Sequence, residues 1–481
     1  MGTEITEPRG ERSSRRVVLR GAGLVAAAGA LGVGGHQAVR HLRGTVDPRA
    51  VVSLHSSTVA IDEGGDRHLV PAGTSDGPPS GHISLTLDPG TELWLVPGTR
   101  LLRAAGSPST PTSTSTSTST STEPLISGAP AERAEQFFES ARPFLDRAAT
   151  AGWEDLATSA LWDLWVLSDG LPAPVAGWSR NWRFIWPRDA AFGAVALART
   201  GHPAAALRAL LHLQEVQGED GWFEARYVPG TAEVPDGRAR QFDGTGLALW
   251  AASEILTGLP AADRESAAGE LSGLLDRSTA VLLRSTHDGT RLPPVSPDYW
   301  EVGERSVTLG IMASTLAGLR GSAAHTGEER TGDAAEAFAD LTRRAFGPAG
   351  FQRYRRRGGA DSARAFFAAT GAVDVIDSAQ LTALRRELVR PAGGIAPGAG
   401  WKQDGISWTP STSLLALALA RSGEGEQAAE VLEWIAAHRT AAGSIPEKVL
   451  YDGSPAAVAP LSWSAANVLL GIDALTASIE S

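Results

Sequence analysis

From about Ala131 onward the apolar positions recur with helical spacing, and two kinds of helix alternate. Ala190 to Thr200, Leu247 to Leu256, Val307 to Leu319, Ser413 to Ala420 and Leu461 to Leu475 are apolar on every side. Ala204 to Val216, Asp263 to Arg284, Glu328 to Phe346 and Glu424 to His438 carry a polar face. Gly or Pro breaks part them, as at Gly201 with Pro203 and at Gly258 with Pro260. A helix apolar all round is buried, whereas one with a single apolar stripe lies outside. The alternation therefore predicts an inner and an outer ring. Counted from Trp153, with 360–390 taken as one pair, the pattern gives six helices in each. The expected fold class is all-α, an (α/α)6 barrel, with an ordinary helical bundle as the alternative.

Ahead of the helices the pattern changes. Residues 45–105 hold short alternating or β-rich runs at Val51 to Leu54, His82 to Leu87 and Glu92 to Val96, which predict a small β-rich module. Residues 106–130 contain a Ser-Thr repeat with proline that cannot pack a core and is expected to be a solvated linker. Residues 1–44 contain Ser14-Arg15-Arg16-Val17-Val18-Leu19-Arg20 and then small apolar residues from Gly21 to Gly35. This resembles a twin-arginine export signal, so the chain is expected to be exported and secreted or held at the cell surface. The apolar run is too short to span a bilayer comfortably. Without a clear small-x-small cleavage site, an uncleaved N-terminal membrane anchor stays open, and a basic tail is the bland alternative. Residues 131–481 form the expected barrel.

Composition narrows the chemistry. The 481 residues carry a net charge of −11, which argues against nucleic acid as a partner. Cysteine is absent, so disulfides, thiolate metal sites and cysteine nucleophiles fall away together. No H-E-x-x-H or phosphate-binding glycine loop occurs in the right context, so no cofactor is expected. Only Lys402 and Lys448 are lysines, and thirteen of the 14 tryptophans follow residue 150. Flat apolar rings with one N–H suit a core, and equally suit stacking on sugar rings.

In such a barrel all inner helices point the same way, so the loops entering them meet on one rim. The polar and aromatic segments fall in those loops. They are Asn181-Trp182-Arg183-Phe184-Ile185-Trp186-Pro187-Arg188-Asp189, Gln241-Phe242-Asp243-Gly244 and Pro297-Asp298-Tyr299-Trp300-Glu301. Trp401-Lys402-Gln403-Asp404-Gly405 with Trp408, and Ile445-Pro446-Glu447-Lys448, complete the set. A tryptophan-walled pocket with several carboxylates suits a neutral polyhydroxylated ligand.

Trp186-Pro187-Arg188-Asp189, followed by an alanine-rich helix and Gly201-His202, resembles the W-x-R-D segment of glycoside hydrolase family 15, which includes glucoamylases and glucodextranases. Arg180-Asn181-Trp182 resembles the lead-in of its bacterial members. Tyr299-Trp300-Glu301 resembles the segment with the general acid, and Pro446-Glu447 with Ala459-Pro460-Leu461-Ser462-Trp463-Ser464 the segment with the general base. The resemblance spans about Trp153 to Leu475. Val302, and Trp401-Lys402 in place of an arginine-containing loop, depart from the family pattern and bear on the substrate.

The resemblance implies an exo-acting inverting glycoside hydrolase releasing glucose from an α-linked glucan or disaccharide, working as a monomer on an oligosaccharide or polysaccharide. Glu301 would be the general acid, desolvated by Tyr299, Trp300 and Val302, and Glu447 the general base, kept ionised by Lys448. Arg188 and Asp189 would bind the sugar, with Asp189 as a helix-start residue the alternative. Gln241 and Asp243 would orient the acid or contact hydroxyls, unless Asp243 only caps its helix. Trp186, Trp300, Trp401 and Trp408 are stacking candidates, with Lys402 in the substrate set. A degenerate carbohydrate-binding protein and a phosphorylase on the same barrel are the other readings.

Overall fold

The computed structural model describes residues 47–72, 83–87, 91–104 and 129–477. The expected export signal at 1–44, and all of the expected linker but its last two residues, lie outside them. Antiparallel strands β1 (Thr58–Ile61) and β2 (Arg67–Val70) pair first, and β3 (Ser84–Leu87), β4 (Thr91–Leu95) and β5 (Leu102–Ala104) form an antiparallel sheet. The β1–β2 pair has no counterpart among the expected runs, because four residues are too few to show a period. The run at 51–54 makes one bridge, Leu54 to Ala457.

Helices then dominate: α1 (Pro130–Ser140), α2 (Arg142–Thr150), α3 (Glu154–Val166), α4 (Pro187–Arg199), α5 (Pro203–Val216), α6 (Asp243–Gly258), α7 (Ala261–Glu270) and α8 (Ser272–Thr286). There follow α9 (Leu309–Thr326), α10 (Glu329–Phe346), α11 (Arg364–Ala369), α12 (Ser378–Leu388), α13 (Thr409–Arg421), α14 (Gly425–Ala437) and α15 (Ser462–Ala477). Helices α4, α6, α9, α11, α13 and α15 touch in that order, and α15 returns to α4. That closed ring, with α3, α5, α8, α10, α12 and α14 outside it, is an (α/α)6 barrel.

The division into two rings follows from the side chains. Every residue of α4 from Pro187 to Leu197, and of α15 from Ser462 to Ile472, is buried. Outer helix α10 buries Thr331, Ala334, Ala335, Phe338, Ala339, Thr342 and Phe346, which share one face at 3.6 residues per turn. Inner helices meet at small residues. A Cβ on Gly246 of α6 would fall 2.0 Å from the Ser314 carbonyl oxygen of α9, so only glycine permits this approach.

Three features differ from the sequence expectation. The stretch 263–284 breaks at Leu271 into α7 and α8. Inner helix α11 has six residues, too short for a clear apolar signal. A small sheet of β6 (Ser407–Trp408), β7 (Lys448–Val449) and β8 (Pro455–Ala456) ties together two rim loops. No helix among the described residues is long and apolar enough to cross a membrane.

The described part of this N-terminal stretch packs on the barrel. Val59 and Ile61 of β1 belong to its hydrophobic core. Arg100, 1% exposed, enters the barrel to meet Asp163 of α3, which is fully buried, at 2.8 Å.

Candidate active site

The loops 167–186, 217–242, 287–308, 347–363, 389–408 and 438–461 enter the six inner helices on one rim. Local chemistry fixes where several of these helices start. Trp186 is extended and Pro187 opens α4, where its missing N–H is harmless. Thr308 caps α9, its hydroxyl accepting from the Ile311 amide at 3.2 Å. Asp243 starts α6 without capping it, and its carboxylate is taken up by Arg188 instead.

Glu301 sits at φ +56°, a left-handed conformation costing on the order of 1 kcal/mol outside glycine. Its Oε1 accepts from Trp186 Nε1 at 2.9 Å, Arg188 Nη2 at 3.1 Å and Gln241 Nε2 at 3.1 Å. Its Oε2 pairs with the guanidinium of Arg238. Arg188 in turn donates to Asp243 Oδ2 at 3.0 Å and Gln241 Oε1 at 3.3 Å. Four of the sequence-selected residues therefore meet around one carboxylate or one contact from it.

The expected apolar surround of Glu301 is not found. The Tyr299 hydroxyl lies beneath, donating to Asp361 at 2.5 Å. Trp300 stacks on Arg353, its ring centroid 3.6 Å from the guanidinium carbon, and Val302 is exposed. The left-handed turn at Glu301 separates its side chain from those of its sequence neighbours, so N–H donors surround it instead.

Beneath this turn a buried frame holds the segment. Asp298 accepts from the Trp300 amide at 3.0 Å, the Thr308 hydroxyl at 2.7 Å and Arg353 at 3.0 Å. Arg353 also pairs with Glu304 at 2.6 Å and Asp361 at 3.1 Å. Burial opposes its charge, but Asp298 and Asp361 outweigh burial and raise its pKa.

Arg188 is likewise buried and raised in pKa, desolvation being outweighed by Asp243, Asp189 and Glu301. One cation cannot satisfy three carboxylates, and the aspartates show the consequence. Burial, with the Glu301 and Asp243 charges, pushes the Asp189 carboxyl up to about 7 against the pull of Arg188. Burial, with Asp298 and Glu301, pushes Asp243 up to about 6. Asp189 Oδ2 lies 3.4 Å from Arg188 Nε outside hydrogen-bond geometry, which fits incomplete neutralisation.

Glu447 is 8% exposed, immediately before β7. Its amide donates to the Val458 carbonyl at 2.8 Å, and its own carbonyl accepts from the Thr409 amide at 3.0 Å. Lys448 Nζ stands 3.2 Å from its Oε2, without hydrogen-bond alignment, and 4.3 Å from the Trp408 ring centroid. Trp186, which holds Glu301, packs with Val458 and Leu461 of the Glu447 loop. The Arg188 guanidinium lies 5.2 Å from the Trp463 ring centroid on α15. The two glutamate segments thus share a wall.

Trp300, Trp401 and Trp408 form an edge-to-face series with centroids 5.0 and 5.3 Å apart. Lys402 is exposed, only its carbonyl oxygen being engaged, by Arg390 at 2.7 Å, and the structure does not bring its ammonium to the cluster. Sequence reasoning missed Arg238 on Glu301 and the Arg353 frame. Arg238 comes from an exposed loop without a motif, whereas Asp298 stood unassigned inside a recognised segment. Among the described residues no three His, Asp or Glu side chains are grouped to hold a metal ion.

No family model matches the sequence, and no curated protein matches it. Solved structures do match in fold. A wild-type glycosidase is 19% identical with a TM-score of 0.54, covering 72% of this chain and 99% of its own. A bacterial glucoamylase complexed with acarbose is 16% identical with a TM-score of 0.53, covering 70% of this chain and 57% of its own. The glucoamylase of Saccharomycopsis fibuligera is 12% identical with a TM-score of 0.51, covering 68% of this chain and 96% of its own. These likenesses establish the barrel class that the alternation of helices predicted.

Proposed function

We propose that this chain is an exo-acting glycoside hydrolase releasing glucose from an α-linked glucan or disaccharide with inversion. Glu301 is the general acid and Glu447 the general base. The carrying observation is a set of buried polar atoms on this rim with no hydrogen-bond partner among the described residues. Asp189 Oδ2, Asp243 Oδ1 and Glu447 Oε2 are acceptors, and the Nε1–H groups of Trp300, Trp401 and Trp408 are donors. A buried polar atom without a hydrogen bond costs about 1–3 kcal/mol, less for the Asp189 and Glu447 oxygens beside Arg188 and Lys448, and a sugar hydroxyl can serve as either partner. The glycosidase solved in complex with glucose and the glucoamylase solved with acarbose support a saccharide as the ligand.

In single displacement, a protonated Glu301 delivers its proton to the leaving oxygen while Glu447 takes one from attacking water, which fits carboxyls about 6.5–9.5 Å apart. Arg188 and Asp189 hold hydroxyls of the departing glucose. Every group on Glu301 is an N–H donor, so one must withdraw for the leaving oxygen to reach the carboxyl. Arg238, on an exposed loop, is the one free to do so. The arginine pair at 15–16 supports export of the folded enzyme by the twin-arginine route.

The test is the anomer first released, followed by proton NMR: β-glucose is expected, and α-glucose excludes inversion. Glu301→Gln and Glu447→Gln should each lower turnover about 10²–10⁴-fold with unchanged melting temperature. Wild-type turnover in either variant removes that residue from its role.

The donor-only surround of Glu301 also favours a second reading, a carbohydrate-binding protein without hydrolysis. Calorimetry beside a reducing-sugar assay separates the two: binding without released sugar selects the second.

A further inference from the structure

Arg355, Arg356 and Arg357 lie in a turn closed by the Tyr354–Arg357 bridge, within the loop entering α11. Arg353 just before them is saturated by three carboxylates, but these three are exposed. Among the described residues none has a carboxylate within the 4.0 Å of an ion pair. In a chain of net charge −11, three adjacent guanidiniums without a carboxylate partner, that of Arg357 lying 4.8 Å from the Tyr354 ring centroid, are a local reversal of sign. A solvated polar face would more cheaply carry mixed charges.

These arginines line a pocket of about 630 Å³ together with apolar Leu292, Val295 and Val307. Half of its lining therefore comes from the loop entering α9, the loop that carries Glu301. Glu304 clamps the two loops, bonding Arg353 at 2.6 Å and the Tyr354 hydroxyl at 2.8 Å. Its charge is spent on Arg353 and does not answer the three arginines. Apolar surface beside planar cationic forks matches a sugar's C–H face bearing a sulfate or phosphate ester, which guanidinium groups bind through paired N–H donors.

We propose that this pocket binds the sulfate or phosphate ester of an anionic saccharide, so that the protein prefers charged over neutral glycans. The class of ligand rests on the glycoside-hydrolase reading, whereas the anion site rests on the pocket alone. Calorimetry on the full chain with maltoheptaose, its phosphate monoester, its sulfate monoester and inorganic phosphate separates the sources. At low salt an ester should bind about tenfold tighter than maltoheptaose, a gap of about 1.4 kcal/mol that shrinks as salt screens it. Which ester shows the larger gap names the group. The triple variant Arg355→Gln/Arg356→Gln/Arg357→Gln should bring the esters within twofold of maltoheptaose, with neutral binding and glucose release unchanged. Equal affinities in the wild type, or a preference that survives the triple variant, overturn the site. Tighter binding of inorganic phosphate than of either ester overturns the saccharide. Glucose release with no ester preference defeats the pocket alone, and ester preference with no hydrolysis defeats the enzyme reading alone.

Discussion

Arg188 stands among three carboxylates, and burial, together with the neighbouring negative charges, raises two of them, Asp189 and Asp243. The Asp189 carboxyl, ordinarily near 3.8, is held up to about 7 in the folded chain. Unfolding therefore releases a proton between those values, and stability falls as pH rises from about 4 to 7. Asp243, at about 6, acts in the same direction over a narrower window. Asp189→Asn should accordingly melt higher than wild type at pH 8, with the gap closing by pH 4, while losing glucose release. Melting curves across pH read it, and a gap that widens toward acid contradicts the sign. Arg238 makes a different prediction. If it only covers Glu301 between turnovers, Arg238→Gln keeps at least wild-type kcat, whereas Arg188→Gln loses about 10²-fold or more. Steady-state kinetics with maltose compare the two. At this scale the sequence singled out Glu301, Glu447, Arg188, Asp189, Gln241 and Asp243, since each lies in a compact motif. It placed the wrong neighbours on Glu301, because adjacency in sequence does not survive a left-handed turn.

Among elements, the N-terminal strands are joined to the rim from beneath. Asp163 of α3 accepts from Arg100, from the Ser444 hydroxyl at 2.8 Å and from the Ile445 amide at 2.8 Å. Thr58 of β1 meets Ser444 at 2.6 Å. This bolt ends two residues before Glu447. Burial raises the Asp163 pKa, and Arg100 opposes it. Arg100→Met leaves that carboxylate buried without its cation and should lower unfolding free energy by about 3–5 kcal/mol in urea titration. Arg100→Met/Asp163→Leu, which removes both charges, should recover most of the loss. Neither residue was legible in the sequence, because Arg100 lies between strands and its partner is 63 positions away. Helix existence was legible because long apolar runs report burial directly, while α11 and the β6–β8 sheet were too short to do so.

At the scale of the molecule, the six loops converge only because the ring closes, α15 returning to α4. The Trp186 and Trp463 contacts then carry that closure into the site. Beyond the barrel, the proposed export signal predicts that Arg15→Lys/Arg16→Lys retains the protein in the producing cell, read by fractionation, and unchanged export contradicts the twin-arginine route. By itself the amino-acid order determined the two sorts of helix, their number and the motifs at their starts, since periodicity and turn residues act over a few positions. Tertiary structure alone decided which charges share a cavity, which arginine covers Glu301 and which strand braces Glu447. Those pairings join residues up to hundreds of positions apart, and their strength depends on burial that no local pattern encodes.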